Sequence, residues 1–299
     1  MNPAKTVAAL HDLSGVGRCA LTVAIPVISA MGLQVIPAPT AVLSAHTAFP
    51  DFVGLDLTDY LESCLEKWCE MGMKFDCIYT GYMASVRQEE IARRFLDAQP
   101  QALKVIDPVL GDDGVMYRAL PKEMPGAMAR LCRGADVITP NWTEAMLLTG
   151  GEGVTAEKDA LPGTKVGAQV VDEKQMEEML SRLMELGPKT ALLTGVVLEE
   201  KHVNAWMGED GKTHCVEYEP VHASFPGTGD LFASVLTGAL VKGKSFEEAV
   251  RLATDYVRGT MRHTVDCGTE PVYGVQLEQT LELLTRSEIN AAAKGGQGD

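Results

Sequence analysis

The chain has 299 residues, of which 46% are hydrophobic and 22% are charged, a composition typical of a soluble globular protein and not of a fibrous or disordered one. Its 26 Lys and Arg residues against 41 Asp and Glu residues give a formal charge of −15, which disfavours nucleic acids and anionic membranes as partners. A small anionic ligand is still compatible with this charge, because backbone amides and a metal ion can form a local positive site. We predict one large domain over 1–286 and a disordered tail over 287–299.

The seven cysteines are scattered along the chain, with no CxxC pair and no spacing typical of a zinc site. An odd, unpaired set of this kind indicates a reducing compartment. The apolar run before His11 is too short for a signal peptide, and no stretch of 18 apolar residues occurs elsewhere. We therefore expect a cytoplasmic protein that does not enter a membrane.

Short β-favouring runs alternate with helical segments along the chain. The predicted strands cover 6–10, 33–40, 76–82, 103–109, 135–141, 190–196 and 202–208, and the clearest predicted helices cover 57–72, 88–99 and 172–187. This alternation predicts an α/β fold with a mostly parallel sheet. The stretch over 150–172 is rich in glycine and small residues, which predicts a mobile surface loop.

Several predicted strands end in polar or turn residues, in the segments HDLSG, TGYM, DPVLGDDG, TPNWTE and TGV. Parallel sheets bind ligands at the carboxyl ends of their strands. These segments should therefore line one edge of the sheet and form the binding site there.

The segment SFPGTGDLF, which begins at Ser224, places glycines and an aspartate directly before an apolar helical run. Gly227 and Gly229 let the backbone turn sharply and approach a ligand, and the free amides of a helix N-terminus form an anion hole. A carboxylate at Asp230 would repel a bound phosphate but could accept a proton from a substrate hydroxyl. The alternative interpretation is that Asp230 is only the N-cap of the helix.

Taken in order, the segments PTAVLSAHT, TGYM, DPVLGDDG, ITPNWTEAMLLTG and GTGDLF resemble those of the ribokinase superfamily, and within it the pyridoxal (vitamin B6) kinases. The resemblance runs from about Val7 to about Leu284. It implies a three-layer α/β/α fold with a central, mostly parallel sheet, and transfer of a phosphoryl group from ATP to the hydroxymethyl oxygen of a B6 vitamer. It also implies that Asp230 is the base and that Gly227, Thr228 and Gly229 form the anion hole.

By the same resemblance, Asp107 and Glu144 lie near the ATP phosphates and Mg²⁺, a cation that prefers oxygen ligands. Tyr117 matches a position that offers its backbone carbonyl to the metal in some relatives. The other implied nucleotide-site residues are Thr139, Asn141 and Thr194. The alternative interpretations are structural: Asp107 opens an Asp-Pro turn, Asn141 or Thr143 caps a helix, Glu144 lies in its first turn, and the threonines end strands. Whether a monovalent cation assists is left open.

For the vitamin, the resemblance points to Asp12 and Ser14 in the first loop, His46 and Thr47 in the second, and Tyr82 against the ring. Many relatives carry a serine where this chain has Asp12, which could instead pair with a protonated pyridine nitrogen or a ring hydroxyl. We assign His46 no role in proton transfer.

Two rival functions stay open at this point. A hydroxymethylpyrimidine kinase shares the fold and acts on a similar aromatic alcohol, and the residue at position 12 keeps it in consideration. A catalytically silent vitamin- or nucleotide-binding protein is a second rival, against which the retained acidic residues argue. A sugar kinase of the superfamily is less consistent with PTAVLSAHT and TGYM. The resemblance further implies a homodimer whose substrates are small molecules.

Overall fold

The structure is a computed structural model that describes residues 3–151, 154–156 and 170–285. Most of the loop predicted over 150–172 and all of the tail predicted over 287–299 lie outside these residues. The single domain predicted over 1–286 stays a prediction.

Ten strands of the described chain form one sheet, and three short ones form another. In chain order, the main sheet comprises β1 (Thr6–Val16), β2 (Gln34–Ala45), β3 (Gly54–Asp56), β4 (Cys77–Thr80), β5 (Leu103–Ile106), β8 (Val137–Ile138), β10 (Val170–Val171), β11 (Ala191–Leu198), β12 (Lys201–Met207) and β13 (Thr213–Tyr218). The small sheet comprises β6 (Gly111–Asp112), β7 (Val115–Met116) and β9 (Thr155–Ala156).

The central strands of the main sheet run parallel in the order β11-β8-β5-β4-β1-β2. Antiparallel strands close both edges, with β12 and β13 at one side and β3 at the other. The predicted α/β fold with a mostly parallel sheet is therefore confirmed. Its parallel strands carry their carboxyl ends to one edge, where ligands bind in sheets of this kind.

Helices cover both faces of the sheet. They are α1 (Leu21–Ala30), α2 (Thr58–Glu70), α3 (Val86–Ala98), α4 (Met124–Leu131), α5 (Trp142–Leu148), α6 (Glu173–Glu185), α7 (Thr228–Val241) and α8 (Phe246–Asp266). Successive strand side chains point to opposite faces, so Ile78 joins a core with α2 to α6, whereas Tyr79 joins a core with α1, α7 and α8. Two buried cores on one sheet give the predicted three layers.

Local sequence signals account for the helix ends. Asp172 and Ser245 are the N-caps of α6 and α8, and each forms a capping box with the residue three positions on. The helices predicted over 57–72, 88–99 and 172–187 are observed at 58–70, 86–98 and 173–185. No helix among the described residues is long and apolar enough to cross a membrane.

The first predicted strand was too short. We expected it to end before HDLSG, but β1 continues to Val16 because the equally extended β2 pairs with it, from Thr6 with Gln34 to Val16 with Ala45. A register shift between His11 and Leu13 marks an irregularity in this pairing. The residues interpreted as a turn are therefore part of the sheet, and Asp12 lies at the irregularity.

Candidate active site

The N-terminus of α7 has the geometry of an anion hole. Gly227 is the N-cap, with φ +81°, and a Cβ there would lie 1.9 Å from the backbone oxygen of Arg18, so only glycine fits without displacement. A Cβ on Gly229 would meet no atom within 4 Å, so the helix end opens to free space. The Thr228 hydroxyl donates to the Phe225 carbonyl at 3.1 Å and steadies the turn. The first amides of α7 can therefore face a ligand.

Asp230 lies in the first turn of α7, and the interpretation of this residue as the N-cap is wrong, since Gly227 takes that position. Burial raises the pKa of Asp230 to about 7, and the charge of Asp12 adds to the rise. A backbone hydrogen bond from Ala20 acts in the opposite direction. The result is a carboxylate with a proton affinity near neutrality, beside the anion hole, which is the property of a general base.

Asp107 follows β5 at the carboxyl edge of the sheet and is 7% exposed. The Thr139 hydroxyl donates to its Oδ1 at 3.2 Å. Burial, followed by the charge of Asp230, raises the pKa of Asp107 to about 8. The charge of Asp230 in the first turn of α7 thus disfavours the ionisation of Asp107, and a cation near the two groups would relieve the repulsion.

Glu144 combines both interpretations that the sequence allowed. Asn141 is the N-cap of α5 and accepts from the Glu144 amide at 2.9 Å, while the Glu144 carboxylate accepts from the amides of Asn141 at 2.9 Å and Leu110 at 3.1 Å. The Asn141 side chain also donates to the Gly111 carbonyl at 2.9 Å. Burial and then the charge of Asp107 raise the pKa of Glu144 well above its usual range. The capping box therefore fixes an acid next to Asp107.

The remaining nucleotide-side residues have structural contacts. The Thr194 amide donates to the Pro140 carbonyl at 3.0 Å, and Thr194 forms a parallel bridge with Asn141. The Tyr117 amide donates to the Leu110 carbonyl at 2.9 Å. Its phenol lies among acids: after burial, the charges of Asp112, Glu144, Asp230 and Asp107 raise its pKa. The sequence drew attention only to the Tyr117 carbonyl, and the structure adds the side chain.

On the vitamin side, Asp12 and Ser14 form a pair. The Ser14 hydroxyl donates to Asp12 Oδ2 at 2.7 Å, and both residues are buried. Burial raises the pKa of Asp12, while the hydrogen bond from Ser14 lowers it. Burial and then the charge of Asp12 raise the pKa of Tyr82 to about 12, so this phenol stays protonated near the same carboxylate. His46 also lies close enough to lower the pKa of Asp12, so the structure brings together four of the five residues assigned to the vitamin.

His46 and Thr47 follow the end of β2. His46 Nε2 lies 2.8 Å from the Val272 carbonyl, and its Nδ1 accepts from the Ala48 amide at 3.2 Å. With both ring nitrogens engaged, His46 holds the chain around it in place. Thr47 is half-buried beside it.

Sequence reasoning overlooked Cys19. The charges of Asp230 and Asp12 contribute to a raised pKa of the Cys19 thiol, although burial contributes most, and Ser14 hydrogen-bonds to it. Cys19 is therefore a protonated, neutral group in the middle of the acidic cluster. The sequence could have indicated Cys19, because this residue lies four positions after HDLSG, a segment already assigned to the site.

The residues present fit a magnesium site in their donor chemistry. Asp107 and Glu144 are oxygen donors, and a divalent cation would offset the charge by which Asp107 raises the pKa of Glu144. In the described part of the chain, no group of three or more His, Cys, Asp or Glu residues could hold a metal. Two protein carboxylates suit a cation that keeps water and phosphate oxygens as its other ligands.

A mostly parallel sheet between two helical layers, with an anion hole and carboxylates at the carboxyl edge, defines the ribokinase-like class of small-molecule kinases. A family model described as phosphomethylpyrimidine kinase matches residues 24–274, and the chain belongs to that family.

Among similar proteins, pyridoxal kinase PdxY of Rubrobacter xylanophilus is 26% identical over 268 residues, which span 84% of each chain. A Bacteroides thetaiotaomicron protein described as a phosphomethylpyrimidine kinase, crystallised with pyridoxal, is 39% identical with a TM-score of 0.81, covering 94% of this chain and 96% of that one. Pyridoxal kinase of Lactobacillus plantarum is 29% identical with a TM-score of 0.84, covering 96% and 98%.

Proposed function

We propose that this protein transfers the γ-phosphoryl group of ATP to the hydroxymethyl oxygen of pyridoxal, pyridoxine or pyridoxamine and forms the 5′-phosphate. The observation that carries the proposal is the Asp230 carboxylate, which has a pKa of about 7 and lies in the first turn of the helix whose amides form the anion hole. The similarity to several pyridoxal kinases supports the choice of alcohol.

In the proposed reaction, Asp230 accepts the hydroxyl proton as the oxygen forms a bond to the γ-phosphorus and the bond to the ADP oxygen breaks. The amides of Gly227, Thr228 and Gly229 stabilise charge on the transferring group, and this positioning with charge stabilisation supplies most of the rate. Asp107 and Glu144, with the Tyr117 carbonyl, would hold Mg²⁺, which neutralises phosphate charge when bound. Thr139, Asn141 and Thr194 keep these groups in place around the nucleotide.

The Asp12–Ser14 pair supports recognition of the pyridine ring. As a buried carboxylate, Asp12 can accept from a protonated ring nitrogen or a ring hydroxyl, and Ser14 fixes its orientation. Tyr82 and Thr47 complete this side of the pocket. A buried acid in place of a serine retains an acceptor for the ring and adds charge.

Release of ADP from Mg-ATP tests the proposal, with pyridoxal, pyridoxine, pyridoxamine and hydroxymethylpyrimidine as acceptors. We expect at least one B6 vitamer to be phosphorylated, and Asp230→Ala to lower kcat by at least about two orders of magnitude with little change in ATP affinity. Asp97→Ala is the matched control, because Asp97 is an exposed acid on α3. Full activity in the Asp230 variant would refute its assignment as the base.

A hydroxymethylpyrimidine kinase is the second candidate function. The name of the matching family and the description of a structure 39% identical to this chain favour it. Turnover of the pyrimidine alone would establish this function in place of ours. Tight binding of a vitamer without ADP release would establish a silent binding protein.

We also propose that the protein works as a homodimer in a reducing, cytoplasmic environment. All seven cysteines are free thiols. Exposed apolar side chains cluster around the edge strand β3, where Val53 is 78% exposed and Leu55 63% exposed, and such a surface favours burial against a second copy. Sedimentation equilibrium distinguishes the monomer from the dimer.

A further inference from the structure

The loop between β1 and α1, residues 17–20, touches the catalytic end of α7 and the chain that follows α8. Its backbone at Arg18 packs against Gly227, where an added Cβ would lie 1.9 Å from the Arg18 oxygen. On the opposite side, a Cβ on Gly274 would lie 3.1 Å from both the nitrogen and the oxygen of Arg18. The loop is thus held between the anion hole and the segment over 273–278.

The Arg18 guanidinium binds that segment at three points. Its Nε lies 2.7 Å from Glu278 Oε1, one terminal nitrogen donates to the Tyr273 carbonyl at 3.1 Å, and the other donates to Gln276 Oε1 at 3.2 Å. The Arg18 side chain is 24% exposed and that of Glu278 is 57% exposed, so the ion pair alone is a surface pair of small energy, and the hydrogen bonds to Tyr273 and Gln276 add to the restraint. A planar fork that uses all three nitrogens restrains the loop in both position and orientation.

The same loop contains a strained residue. Ala20 has φ +49° and ψ −128°, a conformation that an L-residue with a Cβ adopts only when surrounding contacts impose it. Ala20 is buried, and its carbonyl accepts from the amides of Val23 at 3.0 Å and Ala24 at 2.8 Å at the start of α1. Its backbone also lies close enough to Asp230 to lower the pKa of that carboxyl group. Strain in a buried loop that packs against the start of α7 indicates that the surrounding structure holds the loop for function.

We infer that Arg18 is a positioning residue, which ties the 17–20 loop to the segment over 273–278 and thereby holds the loop against Gly227 at the start of α7, beside Asp230. The inference rests on the proposed role of Asp230 as the base. Arg18 does not touch the reacting atoms, and it acts through Ala20 and Gly227. Loss of the three Arg18 side-chain contacts lets Ala20 relax toward an unstrained conformation, which moves the loop away from Gly227 and Asp230.

Steady-state kinetics of Arg18→Ala and Arg251→Ala test this with whichever alcohol the wild type phosphorylates. Arg251 forms a surface ion pair with Glu247 within α8 and serves as the matched control. We expect Arg18→Ala to lower kcat about 10- to 100-fold, as small misplacements of reacting groups do, with KM for ATP within about 3-fold of the wild type. Glu278→Gln, which keeps two of the three contacts, should show a smaller fall in kcat. Unchanged kcat per folded molecule in Arg18→Ala overturns the inference.

Hydrogen exchange of the Ala20 amide gives a readout that does not need activity. We expect exchange at least about 10-fold faster in Arg18→Ala than in the wild type, and no change in Arg251→Ala. A wild type that phosphorylates none of the alcohols contradicts the proposed function, while the exchange result still decides whether Arg18 restrains the loop. Equal exchange of Ala20 in all three proteins overturns the inference.

Discussion

The proton affinity of Asp230 comes from its neighbours. Burial and the charge of Asp12 raise its pKa, the Ala20 backbone lowers it, and the balance is a pKa of about 7. Asp107 responds to Asp230 in turn and has a pKa of about 8. At the residue scale, the candidate site is therefore a group of neighbouring carboxyl groups. Their interactions keep the pKa of Asp230 close to neutral pH.

The activity should depend on pH through the ionisation of Asp230. A general base acts only when it is unprotonated, so kcat/KM for the alcohol should rise with pH through about 7 and fall about tenfold per unit below pH 6. The measurement is the pH dependence of kcat/KM with two vitamers whose rings differ in pKa. If the rise in kcat/KM reflects an ionisation of the enzyme, its midpoint should lie at the same pH with both vitamers. A flat profile between pH 5 and 8 would contradict the assignment.

Helix N-termini are the elements that organise the site. The start of α7 supplies the proposed anion hole and Asp230, and the start of α5 supplies Glu144 through its capping box. The capping box of α8 at Ser245 has the same local form, although it lies away from the site. Comparing variants of the two N-caps, Asn141 and Ser245, therefore distinguishes the effect of a cap on stability from its effect on catalysis.

We accordingly expect Asn141→Ala and Ser245→Ala to destabilise the protein by about 1 kcal/mol each, because each removes an N-cap. Only Asn141→Ala should also lower kcat, since it releases Glu144 and the Gly111 carbonyl from their present positions. Urea unfolding and ADP release measure the two effects. Equal activity in the two variants would show that the α5 cap matters for stability alone.

The glycine turn before α7 can also be compared with a similar turn elsewhere in the chain. Gly227 and Gly243 have similar positive φ angles, +81° and +84°, but only Gly227 has a backbone atom in the way of a Cβ. Gly243→Ala should cost about 1–2 kcal/mol from left-handed strain and leave turnover intact. Gly227→Ala should cost more and lower turnover strongly, because the Arg18 carbonyl must shift. Equal activity of Gly227→Ala and Gly243→Ala would show that the close contact between Gly227 and the Arg18 carbonyl is not needed for turnover.

At the scale of the whole molecule, a formal charge of −15 accompanies an acidic cluster at the carboxyl edge of the sheet. Salt screens the repulsion among the acidic side chains of the whole protein. A divalent cation at Asp107 and Glu144 would in addition offset the repulsion between charges in the acidic cluster. The protein without nucleotide should therefore respond to Mg²⁺ beyond its response to ionic strength.

We expect MgCl₂ to raise Tm more than NaCl does at equal ionic strength, and this excess to disappear in Asp107→Asn. Asp97→Asn, which makes the same substitution on an exposed helix, should keep the excess. Differential scanning calorimetry provides the measurement. An identical response to both salts in the wild type would argue against a cation site at Asp107 in the absence of nucleotide.

The limits of sequence reasoning differ among particular residues. The α/β fold and helix ends within about two residues could be predicted, because apolar periodicity and capping patterns are local signals. The extension of β1 to Val16 could not, because its cause is pairing with β2 more than twenty residues away. The interpretation of Asp230 as an N-cap failed for a local reason, since the positive φ of Gly227 moves the start of α7 three residues earlier.

By itself, the sequence determined the α/β fold, the glycine turn before α7, and Asp107 after its strand, because each depends on neighbours close along the chain. Only the tertiary structure decided the pKa of Asp230, the pairing of Asp12 with Ser14, the phenol of Tyr117 among the acids, and the contact of Arg18 with the segment over 273–278. Burial and charge interactions depend on distances in space between residues far apart in the chain, and these distances exist only once the sheet and its helices have packed.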